Sequence, residues 1–474
     1  MIKKQLLFPF LAILLTHSVF SQNSSSISGY WYGMLEFMSS ELIITLDIAA
    51  DSEGNLTGML HSPLQGANNI PITKLTTRGD SVYIEVKSMS AKIAGKLSDD
   101  GNKFDAVFTQ AVFTIPMQFE RTEELFSLKR PQEPKPPFDY TSEDIFFDNT
   151  KAGIRLAGTI TYPKGEGPFP AVVLISGTGP QDRNEEIFGH KPFLVIADYL
   201  TSRGIAVLRY DDRGVAQSKG DFAAATSFDF ATDAEAAVNY LRQQPNINSN
   251  AIGIIGHSEG GMIAPIIAAS DKSIAFIVLL AGPGISGEKV LLTQTEKIYR
   301  NNGYSDSDIK ILLTDARKTY SILKKHSDKD KAAAEIRKYL NKRAKKAPAD
   351  KHMLYGYTKQ AAEIGIMALN SDWFRSFLVF EPETYLKDVD CPVLALFGEK
   401  DVQVLAIENS NAMEGILAKY NKGNFDIRVY DDKNHVFQNA KTGNVMEYAL
   451  IEETMATDVL QDIVDWILQN TAEN

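Results

Sequence analysis

Ser258 stands in Gly256-His257-Ser258-Glu259-Gly260, directly after the apolar run Ile252–Ile255 and just before the helix-like Met262–Ala269. A strand that turns sharply into a helix through Gly-x-Ser-x-Gly pushes the serine hydroxyl out of the turn, and only residues without a side chain permit the close approach on either side. The chemistry of a serine so presented is attack on an acyl carbon. A serine hydroxyl is a weak nucleophile near neutral pH, so the pattern calls for a base to take its proton and a carboxylate to orient that base. In a strand–elbow–helix arrangement both follow the serine along the chain.

Three of the seven histidines lie beyond Ser258: His326, His352 and His435. His326 sits in the charged stretch Lys324-Lys325-His326-Ser327-Asp328 and His352 in a helical region, so both are expected to be surface or cap residues. His435 follows the apolar run Ile427–Tyr430, which places it in a loop at a strand's C-terminal end, within reach of the serine; it is the expected base. His257 cannot readily face the same way as its neighbour Ser258 and is assigned to packing or support. For the acid, Phe397-Gly398-Glu399-Lys400-Asp401 again closes an apolar run, and Asp401 is preferred, with Glu399 competing. Asp390 precedes that run and falls at the opposite end of the sheet, while Asp431 and Asp432 are too close to His435 in sequence to face its ring. The oxyanion requires preorganised donors. One is the backbone N–H of Glu259, at the positive end of its helix; the other comes from the loop Ser176-Gly177-Thr178-Gly179-Pro180, with Thr178 the first choice and Gly177 the second.

The elements that must hold these residues alternate: apolar runs at Ala171–Ile175, Ile205–Leu208, Ile252–Ile255, Phe276–Ala281 and Val393–Phe397, with helical segments near Phe193–Ser202 and Phe230–Arg242. Continuous apolar strands separated by helices predict a mostly parallel sheet covered on both faces. The alternation stops over about 287–388, a stretch rich in Lys, Ala, Leu and Tyr at helical spacing. Its place after a strand's C-terminal end predicts a helical cap over the crevice where ligands bind in open α/β sheets. Upstream, 27–121 shows short alternating runs such as Leu42, Ile44, Leu46, Ile48, broken by turns at Ser52–Asn55, Arg78–Ser81 and Asp99–Asn102, which predicts a small antiparallel β domain. Its opening Gly29-Tyr30-Trp31-Tyr32-Gly33 resembles the start of lipocalin-like barrels, and it is read as an accessory or binding module. Pro131, Pro134, Pro136 and Pro137 make 122–138 a semi-rigid linker to the domain 139–474.

The first 21 residues carry Lys3, Lys4, the apolar run Leu6–Leu15 and then small or polar residues to Ser21, the pattern of a secretory signal peptide. The run is shorter than the roughly 20 residues that span a bilayer, so an exported protein, periplasmic or extracellular, without stable membrane insertion is expected. The formal net charge of −11 becomes −13 once those two lysines leave, which excludes nucleic acid as an expected partner. The basic run from Lys342 to Lys346 is a solvated helix face. The single cysteine, Cys391, has no partner for a disulfide and is expected to be a buried apolar residue. No His/Cys/Asp cluster has ligand spacing, so neither metal nor other cofactor is called for.

Together, Ser176 to Glu185, Asp211-Asp212-Arg213-Gly214-Val215-Ala216-Gln217-Ser218, the Gly256–Gly261 elbow, Gly398–Val404 and Asn434-His435-Val436-Phe437-Gln438 resemble exported bacterial α/β-hydrolases of serine carboxylesterase type, related to dienelactone-hydrolase-like and acyl-peptidase-like enzymes. The resemblance covers about residue 139 to the C-terminus. It implies an α/β-hydrolase fold, the triad Ser258, Asp401 and His435, and activity on small esters with short acyl chains. Ala216 departs from the pattern, which carries Gly there, and puts the local turn geometry in question. Asp212 and Arg213 are expected to pair with each other near the crevice. Two other readings remain open: a peptidase or acylaminoacyl hydrolase with the same triad, for which Glu185, Glu186 or Arg375 could anchor a charged terminus, and a non-catalytic glycan- or lipid-binding protein. Trp373, Phe374 and Phe377 are candidates for either cap core or pocket wall.

Overall fold

The computed structural model describes residues 27–37, 40–65, 67–110, 113–421 and 424–472; the expected signal peptide lies outside them. The chain divides between Ser127 and Leu128 into two compact units.

The first unit is a nine-stranded antiparallel sheet: β1 Gly29–Phe37, β2 Ser40–Ala50, β3 Leu56–Ser62, β4 Ala67–Pro71, β5 Lys74–Arg78, β6 Ser81–Val86, β7 Ala91–Leu97, β8 Lys103–Gln110 and β9 Phe113–Thr122. Period-two alternation puts Ile44, Leu46 and Ile48 on one face with Leu60, Ile84, Ile93, Phe104 and Phe119. Trp31 is fully buried among them, under the Arg121 guanidinium at 4.4 Å from its ring centre. The strand order β4-β3-β2-β1-β9-β8-β7-β6-β5 leaves β4 and β5 as edges. The sheet is therefore an open half-barrel, not the closed lipocalin-like barrel that its Gly29-Tyr30-Trp31 start resembles.

The second unit carries an eight-stranded sheet: β10 Thr141–Asn149, β11 Ile154–Tyr162, β12 Phe169–Ile175, β13 Ala206–Tyr210, β14 Ile247–His257, β15 Ile277–Leu280, β16 Val393–Gly398 and β17 Phe425–Tyr430, in the order β10-β11-β13-β12-β14-β15-β16-β17. Five neighbouring pairs are parallel and two, β10·β11 and β11·β13, antiparallel. The sheet is thus mixed, a correction to the mostly parallel sheet expected. Of the antiparallel strands, β10 is exposed along most of its length and carries no continuous apolar run, so nothing in its sequence marks it as part of this sheet.

Successive strand residues point to opposite faces, and both faces are covered. Val173, Ile175, Ile254, Leu279, Ala395 and Phe397 pack on the side of α2 Ser227–Arg242, α3 Glu259–Ser270 and α10 Ala406–Tyr420. Val172, Leu174, Ile255, Val278 and Leu396 pack on the side of α1 Pro192–Thr201 and α11 Thr457–Thr471. Burial on both faces is why these strands are apolar without interruption. Between β15 and β16 lie α4 Gly287–Asn301, α5 Asp306–Lys325, α6 Lys329–Ala344, α7 Lys359–Leu369, α8 Asp372–Leu378 and α9 Glu383–Leu386, within the stretch predicted as a cap. Tyr320, Leu323, Ala332, Ile336, Ile366, Phe374 and Leu378 give these helices a core of their own.

The proline-rich segment is not a free spacer past Leu128. Arg130 donates to the carbonyls of Phe188, Ala449 and Ile451, and Gln132 bonds Thr454 and Met455. Polar side chains between the prolines thus dock this stretch on the second unit, which a reading of proline content alone misses.

Candidate active site

Ser258 follows the last residue of β14 and precedes the first of α3, with φ +53° and ψ −111°. A non-glycine residue in that region costs about 1–3 kcal/mol and persists only where surroundings enforce it. Here Ser258 N–H donates to Leu280 O at 2.8 Å. A Cβ on Gly256 would stand 2.0 Å from Gly260 O, and one on Gly260 would stand 2.1 Å from Ile175 O. Both elbow glycines are therefore demanded by close backbone approach.

His435 and Asp401 come from the loops after β17 and β16, which lie side by side in the sheet. His435 Nδ1 and Asp401 Oδ2 are 2.7 Å apart, both residues being buried. Asp401 is fixed from its other side: Oδ1 accepts the backbone N–H of Gln403 at 2.7 Å and of Val404 at 2.9 Å. The His435 loop is tied by Asn434, whose Oδ1 accepts the N–H groups of Val436 and Gln438. Glu399 is exposed and accepts from Asp432 N–H, and Asp432 pairs with Lys400, so neither contacts the imidazole. His326 bonds Glu335 and His352 bonds the carbonyls of Ala344 and Ala347, both inside the cap.

Ser258, His435, Glu259, Gly177 and Thr178 line one cavity of about 260 Å³. Its opposite wall is supplied by the cap, through Val290, Leu291 and Gln294 of α4 and Trp373 and Phe377 of α8. Phe374 instead packs on Tyr320 in the cap core. The Ser371 hydroxyl, accepting Phe374 N–H at 3.2 Å, starts the short helix that presents Trp373.

Buried polar groups surround these residues; His257 takes the supporting place expected of it, but its partners had no signature in sequence. His257 Nε2 meets the carbonyl of His435 at 3.0 Å and its Nδ1 meets Glu185 Oε1 at 2.8 Å. Burial opposes charge on this imidazole, but Glu185 outweighs it and raises the pKa above the ordinary histidine value. Glu185 Oε1 also accepts Gly177 N–H at 2.6 Å, which occupies one of the two proposed loop donors. Asp212 accepts from Ser176 Oγ at 2.9 Å and Gln181 N–H at 3.0 Å. Burial, with the charges of Glu259 and Glu185 adding, pushes its pKa up to about 7 against those bonds.

One expectation is corrected. Asp212 does not pair with Arg213, whose guanidinium bonds Asp233 at 2.7 and 2.9 Å; α2 reaches back to the turn and captures it. Arg375, offered as a possible anchor, bonds Asn370 and the carbonyls of Leu323 and His326 within the cap and does not line the cavity. Glu185 is committed to His257 and Gly177, while Glu186 is exposed and absent from the cavity wall. Ala216 takes φ +45°, the conformation glycine ordinarily supplies at that turn. Cys391 is partly rather than fully buried, and the burial it has pushes its thiol up to about 12. Among the described residues no group of three or more His, Cys, Asp or Glu could hold a metal ion, and no helix is long and apolar enough to cross a membrane.

Residues 152–415 match the family model of the X-Pro dipeptidyl-peptidase (S15 family), and residues 374–471 that of the dienelactone hydrolase family. The chain is 27% identical over 331 residues to esterase EstD of Thermotoga maritima, covering 70% of each. It is 27% identical over 132 residues to the mitochondrial acyl-coenzyme A thioesterase 2 of Mus musculus, covering 27% of this chain and 25% of that one. A solved esterase of Pyrococcus furiosus shares 16% identity at a TM-score of 0.41, over 70% of this chain and 92% of that one.

Proposed function

Because the chain belongs to the X-Pro dipeptidyl-peptidase (S15) family of serine hydrolases, we propose that it cleaves carboxylic esters through an acyl-enzyme on Ser258. Ser258 Oγ attacks the acyl carbon while His435 Nε2 takes its proton, and the imidazolium is stabilised by Asp401 across the 2.7 Å bond. The carbonyl oxygen, now an anion, is held by the N–H groups of Glu259 and Thr178; Gly177 N–H is already spent on Glu185. His435 then returns the proton to the leaving alcohol, and a water activated by the same imidazole releases the acid and frees Ser258.

The observation that carries this reading is that His435, bonded to the buried Asp401 behind it, lines the same cavity as Ser258. At about 260 Å³ the cavity is below the usual range of roughly 300–1,000 Å³ for small-molecule sites, and its cap wall is largely apolar, which supports short acyl chains. Peptide substrates are disfavoured because the charged groups suited to a peptide terminus, Glu185 and Arg375, are already bonded elsewhere. Export to a periplasmic or extracellular space is part of the same proposal and rests on residues 1–21 alone.

Turnover of p-nitrophenyl acetate and butyrate by wild type and Ser258→Ala tests the chemistry. The variant should lose at least about 10⁴-fold in kcat, because the triad acts as a unit. Equal turnover by the two proteins, or no fluorophosphonate adduct at Ser258, would overturn the reading.

A further inference from the structure

The backbone N–H of Glu259 serves the oxyanion, but its side chain has no part in that step. Yet the carboxylate is buried, lines the cavity and accepts three side-chain hydrogen bonds. Thr178 Oγ1 donates to Oε2 at 2.9 Å; Ser227 Oγ at 2.6 Å and Trp373 Nε1 at 2.8 Å both donate to Oε1. Thr178 belongs to the oxyanion loop, Ser227 opens α2, and Trp373 stands on α8 of the cap. The two residues before Thr178 are held by other carboxylates, Ser176 by Asp212 and Gly177 by Glu185. Thr178 alone of the three is held by a group that the cap also grips.

We propose that Glu259 is a positioning residue that couples the cap to the oxyanion loop: the indole N–H of Trp373 fixes the plane of its carboxylate, and that plane fixes Thr178. A buried carboxylate depends on its donors to remain charged, so loss of one is felt at those that remain. Burial raises the pKa of Glu259 against the three bonds, which makes each donor count. Cap placement and oxyanion stabilisation thereby become one event. The inference rests on the acyl-enzyme reading above.

Trp373→Phe removes the indole donor and keeps an aromatic wall; Thr178→Val removes the hydroxyl and keeps both shape and backbone N–H. With p-nitrophenyl acetate, too small to need the Trp373 wall, each variant should lower kcat about tenfold with little change in KM, by displacing an oxyanion donor. The double variant should fall well short of the roughly hundredfold loss that independent effects would give. A full hundredfold loss, or a Trp373→Phe effect confined to KM, would refute the coupling. A second measurement needs no turnover. The chain has three tryptophans, so the Trp373 indole N–H resonance is identified by its absence in Trp373→Phe. Its hydrogen exchange should quicken severalfold in Glu259→Gln and in Thr178→Val; unchanged exchange in both would equally refute it. Should Ser258→Ala keep wild-type turnover, the reaction scheme fails, while the indole exchange still decides whether the cap and loop are linked.

Discussion

Replacing Asp401 by Asn tests whether the carboxylate acts through the tautomer it imposes on His435. Oδ1 of Asp401 faces two backbone donors, Gln403 N–H at 2.7 Å and Val404 N–H at 2.9 Å. An amide NH₂ cannot face them, so the Asn oxygen must take that side. Its NH₂ then occupies the place of Oδ2, 2.7 Å from His435 Nδ1 in the wild type. Two donors cannot share that contact, so Nδ1 must become an acceptor and the ring proton must move to Nε2. Nε2 is the nitrogen that has to receive the proton of Ser258, and in this tautomer it is already occupied. The expected loss is about 10⁴-fold in kcat, or roughly 5.5 kcal/mol of transition-state stabilisation, with the fold retained because shape and the two backbone bonds survive. Steady-state hydrolysis of p-nitrophenyl butyrate, with circular dichroism to verify folding, measures it. A folded Asp401→Asn protein within tenfold of wild-type kcat would show that the orientation of His435 does not depend on this bond.

Three further expectations follow from the same geometry. Asp212 has a pKa of about 7 in the fold against roughly 3.9 unfolded, so its contribution is most favourable below about pH 4 and is lost as pH rises through 7; urea unfolding should show Asp212→Asn gaining on wild type across that window by at most about 4 kcal/mol, less for partial solvent access, and a constant gap would contradict the shift. Gly260→Ala places a Cβ 2.1 Å from Ile175 O and should cost about 3 kcal/mol or more, visible as a lowered melting temperature; wild-type stability would mean that the elbow can relax. Phe377 walls the cavity on the cap side, so Phe377→Leu should raise the hexanoate-to-acetate ratio of kcat/KM about tenfold, and an unchanged ratio would place the acyl chain elsewhere.

The three residues proposed as the triad could be picked out because their signals are local. The elbow is a run of five residues, and Asp401 and His435 each follow an apolar run, so the loop positions of all three could be read before any fold was known. Parallel strands bring their C-terminal loops to one edge of the sheet, and that regularity turned three separate sequence positions into one site. The cap's helical spacing likewise appeared in composition and period. The antiparallel strands β10 and β11 and the docking of Arg130 carried no such mark.

What tertiary structure alone decided is which polar groups surround Ser258, Asp401 and His435. Glu185 lies 72 residues from its partner His257, and Trp373 lies 114 residues from its partner Glu259. Neither pair has a period, a spacing or a turn that announces it. Hydrogen bonds between side chains on different elements depend on how those elements pack, and packing is set by the summed apolar burial of the whole unit rather than by the residues that bond. For the same reason Arg213 chose Asp233 of α2 over its neighbour Asp212. The amino-acid order therefore determined the reactive groups and the strand ends that carry them, whereas the close packing of distant elements determined what holds those groups in place.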